Sequence, residues 1–302
     1  MTLQQLKYAV CTAECKSMNK AASRLFISQP SLSGTIRDLE EEIGMKIFSR
    51  SNRGITITPE GEDFLGYARQ ILQQYQLMEE KFIEKKKPKQ KFSVSMQHYT
   101  FAVQAFIEMA KDFGMDDFEF AVHETKTHEV IENVRNQKSE IGILYLNDFN
   151  RQVMEKIFQE NAVEFTELFD CGIYVFLWKG NPLAQKELIE FEDLKDYPCL
   201  SFEQGDENSF YFAEEVFSTY DYKQIIKTDD RATILNLMIG LNGYTLCSGI
   251  ICNDLNGNEY AAVPLHTDEK MHIGYIKKKG MPLSRLGERY ISELRKFEKN
   301  IL

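Results

Sequence analysis

The sequence predicts an α/β protein that joins a small helical N-terminal module to a larger α/β region through one long helix. Apolar residues recur at helical spacing through the first 87 residues, interrupted by a single β-type hairpin. After a Lys-rich segment with one proline, short β-rich runs alternate with helical runs. That alternation is typical of a parallel or mixed sheet with helices on both faces.

Composition and charge divide the chain in the same place. The 302 residues are 43% hydrophobic, which is enough for two domains that each have a core. Residues 1–91 carry 15 Lys/Arg against 11 Asp/Glu, a net charge of +4, whereas residues 92–302 carry 21 against 35, a net charge of −14. A basic module on an acidic remainder supports nucleic-acid binding by the N-terminal part, although the excess is modest.

The cellular compartment is predicted from two absences in the sequence. No run of about 18 apolar residues could span a membrane, and the N-terminus lacks the pattern of a secretory signal. The six cysteines include no CxxC pair, and no histidine lies at metal-ligand spacing from them. We therefore expect a cytoplasmic protein with reduced thiols, no metal and no cofactor; a redox switch is the alternative for the cysteines.

Three short helices open the chain. Thr2 with Gln5 forms a capping box, Ser17 can cap the second helix, and Ser28 can cap the third, whose first turn contains Pro30. Residues 45–58 then read as two short strands around an Asn/Gly turn. This arrangement predicts a winged helix-turn-helix over residues 1–58, with its helix-turn-helix segment at about 18–37.

A helix is predicted from Pro59 to about Lys87, followed by a hinge at residues 88–91 between the domains. Proline at its first position and an acidic first turn are typical of a helix start, and Pro88 would end it. An apolar seam along it favours pairing with a second copy of the chain, and packing on its own chain is the alternative. The seam consists of Phe64, Ala68, Ile71, Tyr75, Met78 and Phe82.

The region from residue 92 is predicted to contain two sets of strands and helices. In the first set, strands near 92–97, 118–124 and 140–146 precede helices from about 100, 127 and 151. In the second, strands near 172–178, 198–203, 223–228, 244–248 and 260–265 accompany helices 207–218 and 231–241. A strand at 272–278 and a helix at 283–299 close the chain.

These residues resemble the LysR-type family of bacterial transcriptional regulators along nearly the whole chain. The N-terminal match is an ordered set: Ala21-Ala22, Leu25, Ser28-Gln29-Pro30-Ser31-Leu32-Ser33, Ile36, Leu39-Glu40, Ile43-Gly44 and Phe48-x-Arg50. Weaker matches are Asn181-Pro182-Leu183-Ala184 and the glycine-rich turn at residues 239–244.

The resemblance implies an effector domain over residues 92–302, built of two α/β lobes similar to periplasmic solute-binding proteins, with a ligand cleft between them. We place lobe I at about 92–163 and 269–302, and lobe II at about 164–268. The resemblance also implies a homodimer or homotetramer that binds an inverted-repeat site in promoter DNA, responds to a small-molecule effector and contacts RNA polymerase.

The candidate DNA-binding residues lie on the polar face of the third helix, at the start of the second helix and on the wing. Gln can read an adenine edge, and Arg reads guanine or grips phosphate. Gly34 and Thr35 stand where the family often has longer side chains, so a relative's target sequence cannot be transferred. The set is Asn19, Lys20, Gln29, Pro30, Ser31, Ser33, Thr35, Arg37, Arg50 and Arg53.

The candidate effector residues follow the carboxyl ends of strands, where ligands of α/β sheets bind near helix N-termini. Polar side chains there suit a small anionic or amino-acid-like ligand, although simple helix capping is an equal alternative, and His98 is more often structural. The set is Ser95, Gln97, His98, Tyr99, Thr100, Thr125, Thr127, Ser201, Glu203, Gln204, Ser248 and Gly249.

Two other function classes were weighed against a regulator. A solute-binding protein would share the two-lobed fold but would need a secretory signal and no DNA-binding module. An enzyme is disfavoured because the sequence has no G-x-S-x-G, HExxH, GxGxxG or P-loop motif. We therefore predict no catalytic residue and a DNA-binding regulator whose promoter binding or activation depends on a metabolite.

Overall fold

The computed structural model describes residues 1–51, 54–83, 89–112, 117–205 and 209–300. The chain divides into two compact units, Met1–Lys89 and Gln90–Leu302, which are described separately here. No helix within the described ranges is both long and apolar enough to cross a membrane.

The first unit is the predicted winged helix-turn-helix followed by the long helix. Its elements are α1 (Leu3–Cys15), α2 (Met18–Arg24), α3 (Gln29–Ile43), the antiparallel hairpin β1 (Phe48–Ser51) and β2 (Gly54–Ile57), and α4 (Pro59–Phe82). The side chains of Thr2, Ser17, Ser28 and Thr58 accept the backbone N–H bonds that begin these helices. One core joins the three short helices to the hairpin, with Leu32, Ile36 and Leu39 fully buried on the inner face of α3.

The long helix and the hinge differ from the prediction. Helix α4 ends at Phe82, with Ile83 as its C-cap, rather than at Lys87. Residues 84–88 lie outside the described part of the chain. The predicted hinge at 88–91 is wrong for its last two residues, because Gln90 and Lys91 already pair with the neighbouring strand.

The second unit contains the two predicted sets of elements. They are β3 (Gln90–Met96), α5 (Thr100–Lys111), β4 (Phe118–Glu124), α6 (Thr127–Arg135), β5 (Ile141–Leu146), α7 (Arg151–Glu160), β6 (Val163–Cys171), β7 (Tyr174–Trp178), β8 (Cys199–Phe202), β9 (Ile225–Thr228), α8 (Arg231–Leu241), β10 (Tyr244–Cys247), α9 (Asn253–Asn256), β11 (Tyr260–Pro264), β12 (Met271–Lys278) and α10 (Arg285–Leu294).

Two five-stranded sheets form the two lobes. Lobe I has the order β4-β3-β5-β12-β6 and lobe II the order β11-β7-β10-β8-β9. The chain passes to lobe II after Cys171 and returns between Pro264 and Met271. The predicted boundary at residue 163 is wrong, because β6 pairs antiparallel along the whole of β12 and so belongs to lobe I. The irregular burial along β6 gave no alternating pattern by which the sequence could reveal it.

Two predicted helices are also corrected. Residues 206–208 lie outside the described ranges, and residues 209–218 contain a short 3₁₀ turn at Phe210–Phe212 instead of an α-helix. Glu214 and Glu215 are both buried there and bonded to other segments, which holds the backbone irregular. The C-terminal helix is α only over Arg285–Leu294 and continues as a 3₁₀ helix to Asn300.

Candidate functional site

The outer face of α3 carries the predicted groove-facing residues. Pro30, Ser31 and Arg37 are exposed, and Gln29, Ser33 and Thr35 are half-buried. Gln29 Nε2 donates to Ser33 Oγ at 2.8 Å, and Thr35 Oγ1 donates to the carbonyl of Ser31 at 3.0 Å. Arg37 lies 3.8 Å from Glu41 and 3.9 Å from Asp38, exposed contacts too weak to hold it. The face is therefore polar, carries mostly short side chains and is available to a partner.

A concave surface between α3 and the hairpin encloses a volume of about 650 Å³. Its lining includes Pro30, Ser33, Arg37, Lys46 and Ser49. Its geometry depends on Glu40, which the sequence offered only as part of the family motif. The buried Glu40 carboxylate accepts the backbone N–H bonds of Ile47 at 2.9 Å and Phe48 at 3.0 Å, and pairs with Lys46 at 2.9 Å. Burial would raise the pKa of Glu40, but these hydrogen bonds outweigh it and lower the pKa.

The remaining predicted DNA contacts divide into described and undescribed residues. Asn19 and Lys20 are exposed in the first turn of α2, where the helix dipole favours an anion, and the Lys20 N–H itself donates to Ser17 Oγ. Arg53 lies outside the described residues. Arg50 is part of β1, but its side chain is not described.

The apolar seam of α4 faces two environments. Phe64 packs against the core of the first unit, and Ala68 is buried, so neither is open to a second chain. Ile71, Met78 and Phe82 are exposed, as are Tyr67 and Ile83, which lie outside the predicted set. Tyr75 is half-buried, with its hydroxyl donating to Glu79 at 2.9 Å. The open apolar surface therefore runs along the later turns of the helix.

In the second unit, a cavity of about 90 Å³ opens between the two lobes at the carboxyl ends of strands. Of the predicted effector residues, His98, Tyr99, Thr100 and Ser248 line it. Most of the wall is apolar, and Arg231, Glu214, Glu215 and Thr245 are polar lining residues that the prediction did not include. The larger apolar members are Phe101, Phe176, Phe202, Ile234, Leu246 and Met271.

The other predicted effector residues serve the structure around the cavity. Ser95 is buried against Ser139, Gln97 donates to Thr127, Thr125 donates to Glu129, and Glu203 is exposed beyond its strand. Ser201 is half-buried within β8, and Gly249 has a positive φ of 77° beside the Tyr174 ring. None of these residues is among those that line the cavity.

The lobes are joined across the cleft by side chains of lobe II. Glu214 Oε2 accepts the backbone N–H of His98 at 2.9 Å and lies 2.8 Å from its Nδ1, and the His98 ring stacks on Phe202. Gln204 Oε1 accepts the N–H of Thr127 at 3.0 Å. Arg231 donates to Thr100 Oγ1 at 2.8 Å. No sequence signal distinguished Glu214, because it lies in the segment 207–218 that the sequence predicts to be a helix.

The four cysteines of the second unit are poorly suited to thiolate chemistry. Burial raises the pKa of the Cys171 and Cys199 thiols to about 12, and that of the Cys247 and Cys252 thiols to about 11. A thiol is reactive as its thiolate, so these four are unreactive near neutral pH.

One cluster with metal-ligand chemistry occurs among the described residues. Glu167, Asp170 and His272 lie together on β6 and β12, with His272 Nδ1 2.6 Å from Asp170. Arg151 also pairs with Glu167 at 3.2 Å. These groups satisfy one another as a surface ion network.

Comparison with known families identifies both units. Residues 3–62 match the model of bacterial regulatory helix-turn-helix proteins of the lysR family, and residues 100–298 match the LysR substrate-binding domain. The chain belongs to the LysR family. It is a DNA-binding transcriptional regulator of the LysR type with an effector-binding domain.

Similar proteins include bacterial regulators of known sequence or structure. The chain is 22% identical over 314 residues to the hydrogen peroxide-inducible genes activator of Escherichia coli O6:H1, covering 98% of this chain and 95% of that protein. A full-length OxyR variant from Pseudomonas aeruginosa has a TM-score of 0.63 at 22% identity, covering 98% and 95%. CbnR in complex with its target DNA has a TM-score of 0.54 at 18% identity, covering 98% and 99%. At these identities the structural likeness supports the fold alone.

Proposed function

We propose that this LysR-type regulator inserts α3 into the major groove of promoter DNA while its wing contacts the flanking backbone. The observation that carries the proposal is the separation of the two faces of α3: a fully buried apolar stripe and an open polar face beside a concave surface. A major groove admits one helix, and short polar side chains allow it to approach the base edges.

The residues have distinct proposed roles. Gln29, Ser31, Ser33, Thr35 and Arg37 reach base edges or nearby phosphates, with Pro30 in the same turn. Asn19 and Lys20 hold a phosphate at the start of α2, and Arg50 and Arg53 reach phosphates or the minor groove. The separation of apolar and polar residues supports this assignment, and so does the basic charge of residues 1–91.

We further propose that α4 pairs with the α4 of a second chain. Its exposed apolar stripe from Tyr67 to Ile83 supports pairing, because such a surface is rarely left in water on a monomer. Two modules related by a two-fold axis would bind an inverted repeat. A dimer of dimers and contact with RNA polymerase extend this proposal, as does action in the cytoplasm, where promoter DNA lies.

The interlobe cavity is the proposed effector site. A ligand that binds one arrangement of the lobes better than another shifts the population of DNA-bound assemblies by its differential affinity. Peroxide sensing, suggested by the name of the Escherichia coli relative, is not supported, because four thiols of the second unit have raised pKa values.

Gel retardation with DNA from upstream of the gene tests the proposal. Binding should favour that DNA over unrelated DNA of equal length, and the affinity should fall steeply between about 50 and 200 mM salt. The Gln29→Ala variant should lose about 1–3 kcal/mol of preference while keeping its affinity for unrelated DNA. Equal binding to both DNAs by the wild type would contradict the proposal that α3 reads the base edges of this promoter.

A further inference from the structure

Two helices of lobe I begin at the interlobe cleft without a cap of their own. The cap residues of α5 and α6 are Tyr99 and Lys126, and neither supplies a side-chain hydrogen bond to its helix. A helix N-terminus leaves N–H groups unpaired and carries a positive dipole end, which makes it suited to a carboxylate. These two termini are where an anionic effector would be expected.

Lobe II fills both positions with its own side chains. Glu214 places its carboxylate on the His98 N–H just before α5, and Gln204 places its amide oxygen on the first N–H of α6. The two are tied together, since Gln204 Nε2 donates to the other Glu214 oxygen at 3.0 Å. The side chains of Glu214 and His98 are only 3% and 7% exposed. The first N–H of α6 is therefore already occupied by Gln204, and the Glu214 carboxylate already lies just before α5.

The charges that line the cavity are matched within the chain. Arg231 Nη2 lies 2.6 Å from Glu124 Oε1 and forms an ion pair without hydrogen-bond geometry. Arg231 Nη1 donates a hydrogen bond to Thr100 Oγ1. Burial, reinforced by the neighbouring Glu214, raises the pKa of Glu215, so that carboxyl group favours its neutral form. A charged ligand would find no unmatched opposite charge among these groups.

Thr245 contributes a hydroxyl to the cavity wall that has neither a hydrogen-bond nor an ion-pair partner among the described residues. Thr245 lines the cavity and is only 7% exposed. Its Oγ1 has no hydrogen-bond partner within the part of the chain that the structure describes. Leaving a buried hydroxyl unpaired forgoes hydrogen-bond stabilisation. A ligand group at that point would recover this loss.

We propose that the cleft binds a compact, uncharged molecule with an apolar body and one hydrogen-bonding group that meets Thr245 Oγ1, and that it excludes carboxylates. This inference rests on the proposed function of the cleft as the effector site. It replaces the anionic or amino-acid-like ligand expected from the sequence.

The size and energetics agree with this ligand class. At about 10–15 Å³ per water position, the 90 Å³ cavity has room for a molecule of about six to nine heavy atoms. A carboxylate ligand that bonds the His98 N–H before α5 would have to displace Glu214, whose buried side chain would then lose its donors. A neutral molecule leaves the Glu214–His98 contact in place.

Paired probes that differ only in charge test the proposal on the full-length protein. Isobutyramide and benzamide, each at up to about 50 mM, should raise the melting temperature followed by Trp178 fluorescence, the chain's single tryptophan. Isobutyrate and benzoate should not. Equal or greater stabilisation by the acids, or no stabilisation by either amide, overturns the proposal.

Variants of Glu214 assign the exclusion to that side chain. Glu214→Ala vacates the α5 N-terminus and should allow isobutyrate to raise the melting temperature. Glu214→Gln keeps an acceptor oxygen in place, is the matched control, and should still exclude isobutyrate. If both variants exclude isobutyrate while folded by circular dichroism, the inference about Glu214 is wrong.

Variants of Thr245 test the hydrogen bond. Thr245→Val removes only an unpaired hydroxyl, so the variant should fold at least as stably as the wild type, and it should bind isobutyramide at least about tenfold more weakly. Thr245→Ser should retain binding. Wild-type DNA binding is measured separately, without probes. Selective DNA binding together with stabilisation by the acids would overturn this inference alone. Unselective DNA binding together with stabilisation by the amides would overturn the proposed function alone.

Discussion

Glu40 Oε1 accepts the backbone N–H of Ile47 at 2.9 Å, which ties the third helix to the first strand of the wing. The adjacent Phe48 N–H meets the same oxygen. On the other side of this segment, Thr58 Oγ1 donates to the carbonyl of Lys46 at 2.5 Å and accepts the N–H of Gly61. Residues 46–48 therefore connect the recognition helix, the wing and the long helix.

Removing the Glu40 carboxylate should loosen the wing. Glu40→Ala leaves two buried N–H groups unpaired, so it should lower the free energy of unfolding of the first unit by about 2–4 kcal/mol. Hydrogen exchange at Ile47 and Phe48, measured by mass spectrometry, should rise by at least tenfold. Glu40→Gln keeps an acceptor oxygen and is the control. Unchanged exchange in Glu40→Ala would show that the carboxylate does not hold the wing.

Lys20 should contribute to DNA affinity without contributing to sequence preference. Lys20→Ala should reduce the slope of log affinity against log salt by about 0.9, the value for one phosphate contact. Fluorescence anisotropy with specific and unrelated DNA measures both quantities. Lys195→Ala removes an exposed lysine of lobe II and serves as the control. A slope identical to wild type would remove Lys20 from the interface.

The later turns of α4 should control assembly. Charged residues at Ile71 and Met78 would be buried against a second chain, so the double variant Ile71→Glu, Met78→Glu should dissociate to a smaller species. Sedimentation velocity at micromolar concentration measures the change. Gln73→Glu adds a charge to an exposed polar position on the same helix and should leave the mass unchanged. Retention of the wild-type mass by the double variant would place the interface elsewhere.

Glu215 should make stability fall as pH rises. Its pKa is raised in the fold, chiefly by burial, so between the ordinary value near 4.5 and the raised value the folded state holds a proton that the unfolded state loses. Glu215→Gln removes this penalty, and its melting temperature should exceed that of the wild type by about 2 °C or more at pH 8, with a smaller gain at pH 5. Glu187→Gln, at an exposed site, should show no such trend. A gain that is constant with pH would contradict a raised pKa.

Peroxide should leave DNA binding unchanged. With thiol pKa values of about 11 or 12, Cys171, Cys199, Cys247 and Cys252 hold about 0.1% thiolate or less at pH 8. In a Cys11→Ala, Cys15→Ser variant, these four should react with a thiol reagent only after unfolding in guanidinium. Loss of DNA affinity after mild peroxide treatment of that variant would restore the redox switch as an alternative.

Local patterns carried the prediction of most elements. The starts of four helices were predictable because their cap residues are local: Thr2, Ser17, Ser28 and Thr58. The bounds of α8 also agree with the prediction, since Asp230 caps its first turn and Asn242 adopts the left-handed conformation at its end. β6 was missed because its burial does not alternate along the strand, so only its pairing with β12, about 100 residues away, reveals it.

The effector cleft was predictable only in part, for the same reason. His98, Tyr99 and Thr100 follow a strand and precede a helix, so the general rule for α/β sheets found them. Glu214 bonds the His98 N–H of the opposite lobe, more than 100 residues distant along the chain. Thr245 is exceptional only because its hydroxyl has no partner among the described residues. The contacts of Glu214 needed coordinates to be seen.

The junction at residues 46–48 also has a mechanical consequence. A Cβ on Gly61 would lie 2.3 Å from the Ile47 carbonyl oxygen, so the first turn of α4 is pressed against the wing strand and cannot slide past it. Helix α4 has 24 residues, a length of about 36 Å. If α4 tilts by ~10° about its C-terminal end, its N-terminal end and the α3 helix joined to it move by ~6 Å. That displacement is nearly two base-pair steps along the duplex.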